Sequence, residues 1–208
     1  MEILAEPKRR RAKAVSRKAV PPALIYEVWN GKPIYYRGYR DVLAGKKTIE
    51  EIMSSSDLQA VLVYSLGLYI GNTLNRKKYL IATNESGLHL ALNENLGNDL
   101  AIFEKERVGK LKGKYFDVPP KLVIEVDIKA DVVDFTNKDA DYILQKSQKM
   151  LDFGVEKVVW VITSSRKVYV IDRHDPRWYV VNWTEDIPLL DGCVLNIHQL
   201  LADEEIDY

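Results

Sequence analysis

The chain has a single cysteine, Cys193, among 208 residues. That excludes an internal disulfide and a cysteine-built zinc cluster, and it suits a reducing, cytoplasmic compartment. Histidine is nearly as scarce. His89, His174 and His198 are scattered, with neither H-x-x-H nor H-E-x-x-H spacing, so the sequence offers no zinc site. Long apolar runs are missing too: the longest, AVLVYSLGLYIG at 60–71, falls short of the ~20 residues that span a membrane. The N-terminus has charges but no apolar stretch behind them, unlike a secretory leader. Net charge is also absent, with 30 basic residues against 30 acidic ones, so no global field draws in nucleic acid. P-loop, G-x-G-x-x-G and G-x-S-x-G motifs are lacking, which removes the common nucleotide-binding and serine-hydrolase readings. A soluble intracellular protein with no membrane contact is expected.

What is present is an ordinary globular composition, 47% hydrophobic and 29% charged, in a chain long enough for one domain with a sizeable core. The zero net charge hides an asymmetry. In the first 22 residues Lys8, Arg9, Arg10, Arg11, Lys13, Arg17 and Lys18 face only Glu2 and Glu6, seven cations against two anions, net +5. Residues 1–21 therefore read as a disordered basic arm, able to grip phosphates or simply to aid solubility. Pro21-Pro22 closes it, and residues 22–208 read as one domain.

Along that domain, Asn30-Gly31 between ALIYEVW and KPIYYR signals a β-hairpin. Short helical pieces are expected over 39–53, then a buried helix over 58–75 capped by Asp57. Strands follow at 78–82, 88–92 and 99–103, a loop at 104–118, and a strand at 121–129. A second helix is expected over about 136–152, with Thr136 and Asp139 as a capping box and Gly154-Val155 ending it. Strands at 157–163, 167–172 and 177–183 and a short helix at 196–201 complete the chain. This order predicts an α/β fold, a mixed central sheet flanked by helices.

The strand KLVIEVDIK at 121–129 carries the chemistry. Alternation puts Leu122, Ile124, Val126 and Ile128 on one face and Lys121, Val123, Glu125, Asp127 and Lys129 on the other. Two carboxylates about 7 Å apart, with a lysine in the same row, suit a hard divalent cation and phosphodiester cleavage. The same alternation is also the ordinary signature of a half-exposed strand with a solvated polar face. Asp99, at the start of DLAIF, is a turn aspartate or a metal ligand delivered from a neighbouring strand. For a lysine at the site, Lys129 competes with Lys146. Lys146 lies about 100° from the middle of its helix's apolar face, at the rim, where a long side chain reaches inward.

These pieces in this order resemble the Uma-type restriction endonuclease family, a branch of the PD-(D/E)XK nuclease superfamily. The resemblance spans roughly residues 24–201. It rests on IYEVWNGKPI, NDLAIF, PPKLVIEV, the helix with Lys146, DFGVEKVVWVI and KVYVID. It implies a restriction-endonuclease-like α/β core, cleavage of DNA with Mg²⁺ (or Mn²⁺ in its place), and a homodimer where both strands of a duplex are cut. It also implies that Asp99 and Glu125 hold the metal and that Lys146 replaces the usual motif lysine. Glu27 matches a glutamate common in the family's first strand, as an extra acid or a structural one. Two departures stand. Asp127 occupies the position of the motif lysine, and Asp127-Ile128-Lys129 offers a register shifted by two residues. Between the lysines the expectation ranks Lys146 first, because Lys129 would stand about 13 Å along the strand from Glu125 with Asp127 between as a local partner. A non-catalytic nucleic-acid or protein-binding module on a degenerate scaffold is the alternative.

Overall fold

The structure, a computed structural model, describes residues 20–208; the expected basic arm lies outside the described residues except for its last two positions. β1 (Ile25–Trp29) and β2 (Lys32–Tyr35) form the hairpin read from Asn30-Gly31. Both turn residues have positive φ, 49° and 75°, the geometry whose twist matches that of the flanking strands. α1 (Tyr39–Leu43) and α2 (Ile49–Met53) are the short helical pieces. α3 (Asp57–Thr73) is capped by Ser56, whose side chain accepts from the Gln59 amide. The expected cap, Asp57, is instead the first helical residue, where its charge favours the positive end of the helix dipole.

β3 (Tyr79–Ala91) and β4 (Glu94–Glu104) make a long antiparallel pair. The two strands expected at 78–82 and 88–92 are one strand broken by a bulge. There Asn84 and Glu85 take φ 63° and 55°, and the pairing shifts between Thr83 and Ser86. After α4 (Lys105–Val108) and a loop comes β5 (Leu122–Val126). The strand expected to run to Lys129 ends at Val126, because Asp127 takes φ 60° and turns the chain out of the sheet. Asp127 and Lys129 are therefore not in one strand row with Glu125.

α5 (Asp139–Phe153) crosses over to β6 (Lys157–Ile162), which lies parallel to β5. A parallel pair requires such a crossover. The expected Thr136–Asp139 capping box does not form: Lys138 occupies the cap position and no side chain caps the helix. The other end is as expected. Gly154 takes φ 117°, and the Gly154 and Val155 amides bond back to the last carbonyls of α5. β7 (Lys167–Asp172), β8 (Tyr179–Asn182), the separate pair β9 (Ile187–Pro188) and β10 (Val194–Leu195), and α6 (Ile197–Asp203) finish the chain.

The large sheet has the order β2-β1-β4-β5-β6-β7-β8, with β3 paired to β4. On one face Leu62, Leu66 and Ile70 of α3 and Leu201 of α6 pack with Leu122, Ile124 and Val126. On the other, Tyr142, Ile143 and Met150 of α5 pack with Val123, Val158 and Trp160. Every residue of β5 is buried, so its single charged residue, Glu125, sits between layers rather than in water. This is the expected mixed sheet flanked by helices. No helix among the described residues is long and apolar enough to cross a membrane.

Candidate active site

β4 and β5 run antiparallel with Leu100 opposite Ile124, so one step further along the pair Asp99 faces Glu125. The ladder stops there. The next amide of β5, that of Val126, donates to Asp99 Oδ2 at 2.8 Å instead of to backbone. The carbonyl of Val126 accepts from Gln59 Nε2 at 2.7 Å. Asp99 is 6% exposed and Glu125 1% exposed.

Lys146 comes to Glu125 from α5. Its ammonium lies 3.0 Å from Glu125 Oε1, 2.7 Å from Glu27 Oε1 and 2.8 Å from the Gly97 carbonyl. The side chain is wholly buried, so the expected rim position is corrected. The stem runs into the layer between α5 and the sheet because two acids wait there for its charge. Glu27 is saturated: Oε2 accepts from Trp29 Nε1 and the Tyr142 hydroxyl, both at 3.0 Å, and Oε1 accepts from the Gly97 amide at 3.2 Å. Glu125 is not. Its Oε1 has the ammonium nearby but receives no hydrogen bond of good geometry.

Burial raises the Glu125 carboxyl; Lys146 pulls it back, while Asp99 and Glu27 push it further, leaving it at about 8. For Lys146, burial lowers the ammonium's pKa, but Glu125 and Glu27 outweigh that and hold it above the usual lysine value. Lys146 is thus a cation, not a free base.

Lys129 reaches the same centre by another route. After the turn at Asp127 the chain folds back, and Lys129 Nζ lies 2.8 Å from Glu85 Oε1 and 3.4 Å from Asp99 Oδ1. The expected ion pair with Asp127 is corrected, because it assumed a straight strand: Lys129 meets Glu85 and Asp99 instead, and its contacts do not include Glu125. Burial lowers the Lys129 pKa, but Asp99 and Glu85 more than offset it. Asp127 points elsewhere. Its two oxygens accept from the Thr163 amide at 2.8 Å and the Thr163 hydroxyl at 2.6 Å, clasping the end of β6.

Glu85 was not singled out by the sequence. The bulge in β3 aims it inward, and the Tyr36 hydroxyl donates to its second oxygen at 3.3 Å. The available signal was TNES, turn-favouring residues inside a strand pattern. A cleft of about 380 Å³ opens beside these pairs, with Tyr26, Glu27, Tyr36, Glu85, Gly97 and Tyr115 in its wall. A larger cavity of about 710 Å³, between the β1–β2 hairpin and α5, contains none of the acids brought together here.

Among the described residues no group of three histidine, cysteine or acidic side chains converges on a point that would hold an ion. Two carboxylates from adjacent strands, Asp99 and Glu125, are nonetheless a donor set of the right chemistry. Mg²⁺ takes oxygen ligands, uses one or two carboxylates and keeps several waters.

No family model matches the sequence, and no curated protein does. A solved structure does: a protein from Anabaena variabilis described as "a putative nuclease belonging to DUF820" superposes with a TM-score of 0.62. The two share 12% sequence identity over 85% of this chain and 89% of that one. At that identity the likeness is one of fold, and it extends over nearly the whole sheet-and-helix architecture described above.

Proposed function

We propose that the chain is a metal-dependent nuclease of the PD-(D/E)XK type, in the Uma-type branch, hydrolysing phosphodiester bonds of DNA. The observation that carries this reading is the juxtaposition of Asp99 and Glu125 across β4 and β5, each with a lysine at its carboxylate. Asp99 and Glu125 would hold Mg²⁺, or Mn²⁺ in its place. With the ion bound, the site would gain an activated water and a counter-charge for the oxygens on phosphorus. Asp127 is left out of this set because Thr163 occupies both its oxygens.

Lys146 would keep Glu125 in position and favour its ionised form from inside the fold. Lys129, 13% exposed, stands nearer the solvent side and would compensate Asp99. Glu27 serves as the permanent counter-ion of Lys146. A homodimer belongs to this proposal only for double-strand cleavage, which takes two centres.

The second reading, a binding module without catalysis, is favoured by one observation: the motif's lysine position holds Asp127, committed to a structural clasp. Purified protein incubated with single-stranded and duplex DNA separates the two. Cleavage that needs Mg²⁺, stops with EDTA and disappears in Glu125→Gln supports the nuclease. Salt-sensitive binding with no cleavage under any divalent ion supports the module.

A further inference from the structure

The cleft with Glu27 and Glu85 in its wall, the acids that pair with Lys146 and Lys129, is unusually lined for a surface that meets nucleic acid. Among its described lining residues none is lysine or arginine, and three are tyrosines, Tyr26, Tyr36 and Tyr115. The two lysines behind it are already held by carboxylates. Such a wall has little with which to follow a phosphate backbone; Tyr36 is buried against Tyr26, and the open ring is that of Tyr115.

Tyr115 is the informative one. It is 60% exposed, and the residue that follows it is anchored. The next residue, Phe116, bridges β3 beside Leu88, donating to the Gly87 carbonyl at 2.9 Å and accepting from the His89 amide at 2.8 Å. The Phe116 ring is stacked on Phe103 with centroids 4.2 Å apart. The Tyr115 ring then lies directly over Gly87, so close that a Cβ there would meet ring carbons at 2.6–2.8 Å. One face of the ring is seated on glycine backbone and much of the rest meets solvent. A fixed, half-open aromatic ring at the mouth of an acid-containing cleft is a stacking platform. Stacking of this kind is tolerant of sequence and needs a base that is free of its partner strand.

We infer that the cleft takes an unpaired nucleobase, stacked on Tyr115 beside Glu27 and Glu85, so that the substrate class is single-stranded or flapped DNA rather than continuous duplex. This rests on the nuclease reading for its catalytic consequence, though the stacking itself does not.

The test uses the full chain and an oligonucleotide carrying 2-aminopurine, with binding measured in EDTA and again in Ca²⁺. Wild type should bind the single strand more tightly than the matching blunt duplex and quench the 2-aminopurine. Tyr115→Ala should weaken single-strand binding about tenfold and abolish the quench, while Tyr115→Phe retains both. Gly87→Ala, which displaces the ring without removing it, should resemble Tyr115→Ala. With Mg²⁺, Tyr115→Ala should lower cleavage of the single strand in the same proportion. Equal binding by wild type and Tyr115→Ala, or a wild-type preference for blunt duplex, overturns the inference. Absence of all Mg²⁺-dependent cleavage, with the Tyr115-dependent quench intact, would overturn the nuclease reading and leave the base site standing.

Discussion

Lys146 and Lys129 carry the same charge into surroundings that make them do different things. Lys146 is wholly buried between two acids, and removing it leaves Glu27 and Glu125 facing each other without a cation. Breaking a buried pair in this way costs about 3–5 kcal/mol. Lys146→Met should therefore lower the melting temperature markedly. At a temperature where it remains folded, it should also lose at least ~100-fold in cleavage rate. Lys129→Met should change the melting temperature little and cost less activity, because an ion bound at Asp99 would supply the charge that Lys129 supplies without one. Thermal unfolding followed by circular dichroism, with single-turnover cleavage, checks both; the reverse order of losses would make Lys129 the essential lysine.

The raised pKa of Glu125 has a consequence for pH. Below about 8 the metal-free carboxyl is mostly protonated, and a cation must displace that proton to use it. Mg²⁺ affinity should thus climb as pH rises and level off above about 8. Calorimetric titrations in two buffers of different ionisation enthalpy should show proton release near neutrality that fades in the alkaline range. A flat affinity from pH 6 to 9 would mean that Glu125 does not bind the ion.

At the scale of elements, the parts legible in the sequence were those with local causes. Asn30-Gly31 demanded its hairpin, Gly154 its helix end, and the order of strands and helices gave the mixed sheet. What was illegible depended on where the chain bends. A strand drawn straight to Lys129 misplaces both Asp127 and Lys129, because the left-handed turn at Asp127 is stabilised by Thr163, 36 residues away. The bulge at Asn84-Glu85 likewise has a weak local signature and a long-range result, the delivery of Glu85 to Lys129. The sequence groups Asp99, Glu125 and Asp127 with Lys146 or Lys129; the structure sets Lys146 on Glu125, Lys129 on Asp99 and Asp127 apart. The burial of Lys146 is not legible, since helical periodicity describes angle and not depth. The cap of α3 offers a simple element-level test. Ser56→Ala removes the acceptor of the Gln59 amide and should cost about 1 kcal/mol of stability. Urea unfolding would detect it, and no change would mean that Asp57 takes over.

For the whole molecule, charge is divided rather than absent. The first 22 residues carry net +5, so the remaining 186 carry net −5. A net-negative body is poorly suited to hold DNA by itself, and the cations of the N-terminal stretch are the natural counterweight. Removing residues 1–19 should weaken DNA binding and flatten its dependence on salt, because fewer phosphates are neutralised. Filter binding across a salt series measures this, and an unchanged slope would assign the phosphate contacts to the body instead. The aromatic packing around the centre has one more consequence. Trp29 donates its indole N–H to Glu27, and the ring of Trp160 lies 5.5 Å from the Lys146 ammonium, with its own N–H on Ser147. Two of the four tryptophans therefore sit within the electric field of the centre, and any change in its charge must alter the colour and yield of their fluorescence. The protein carries an optical gauge of its own site, readable without a label and without a substrate.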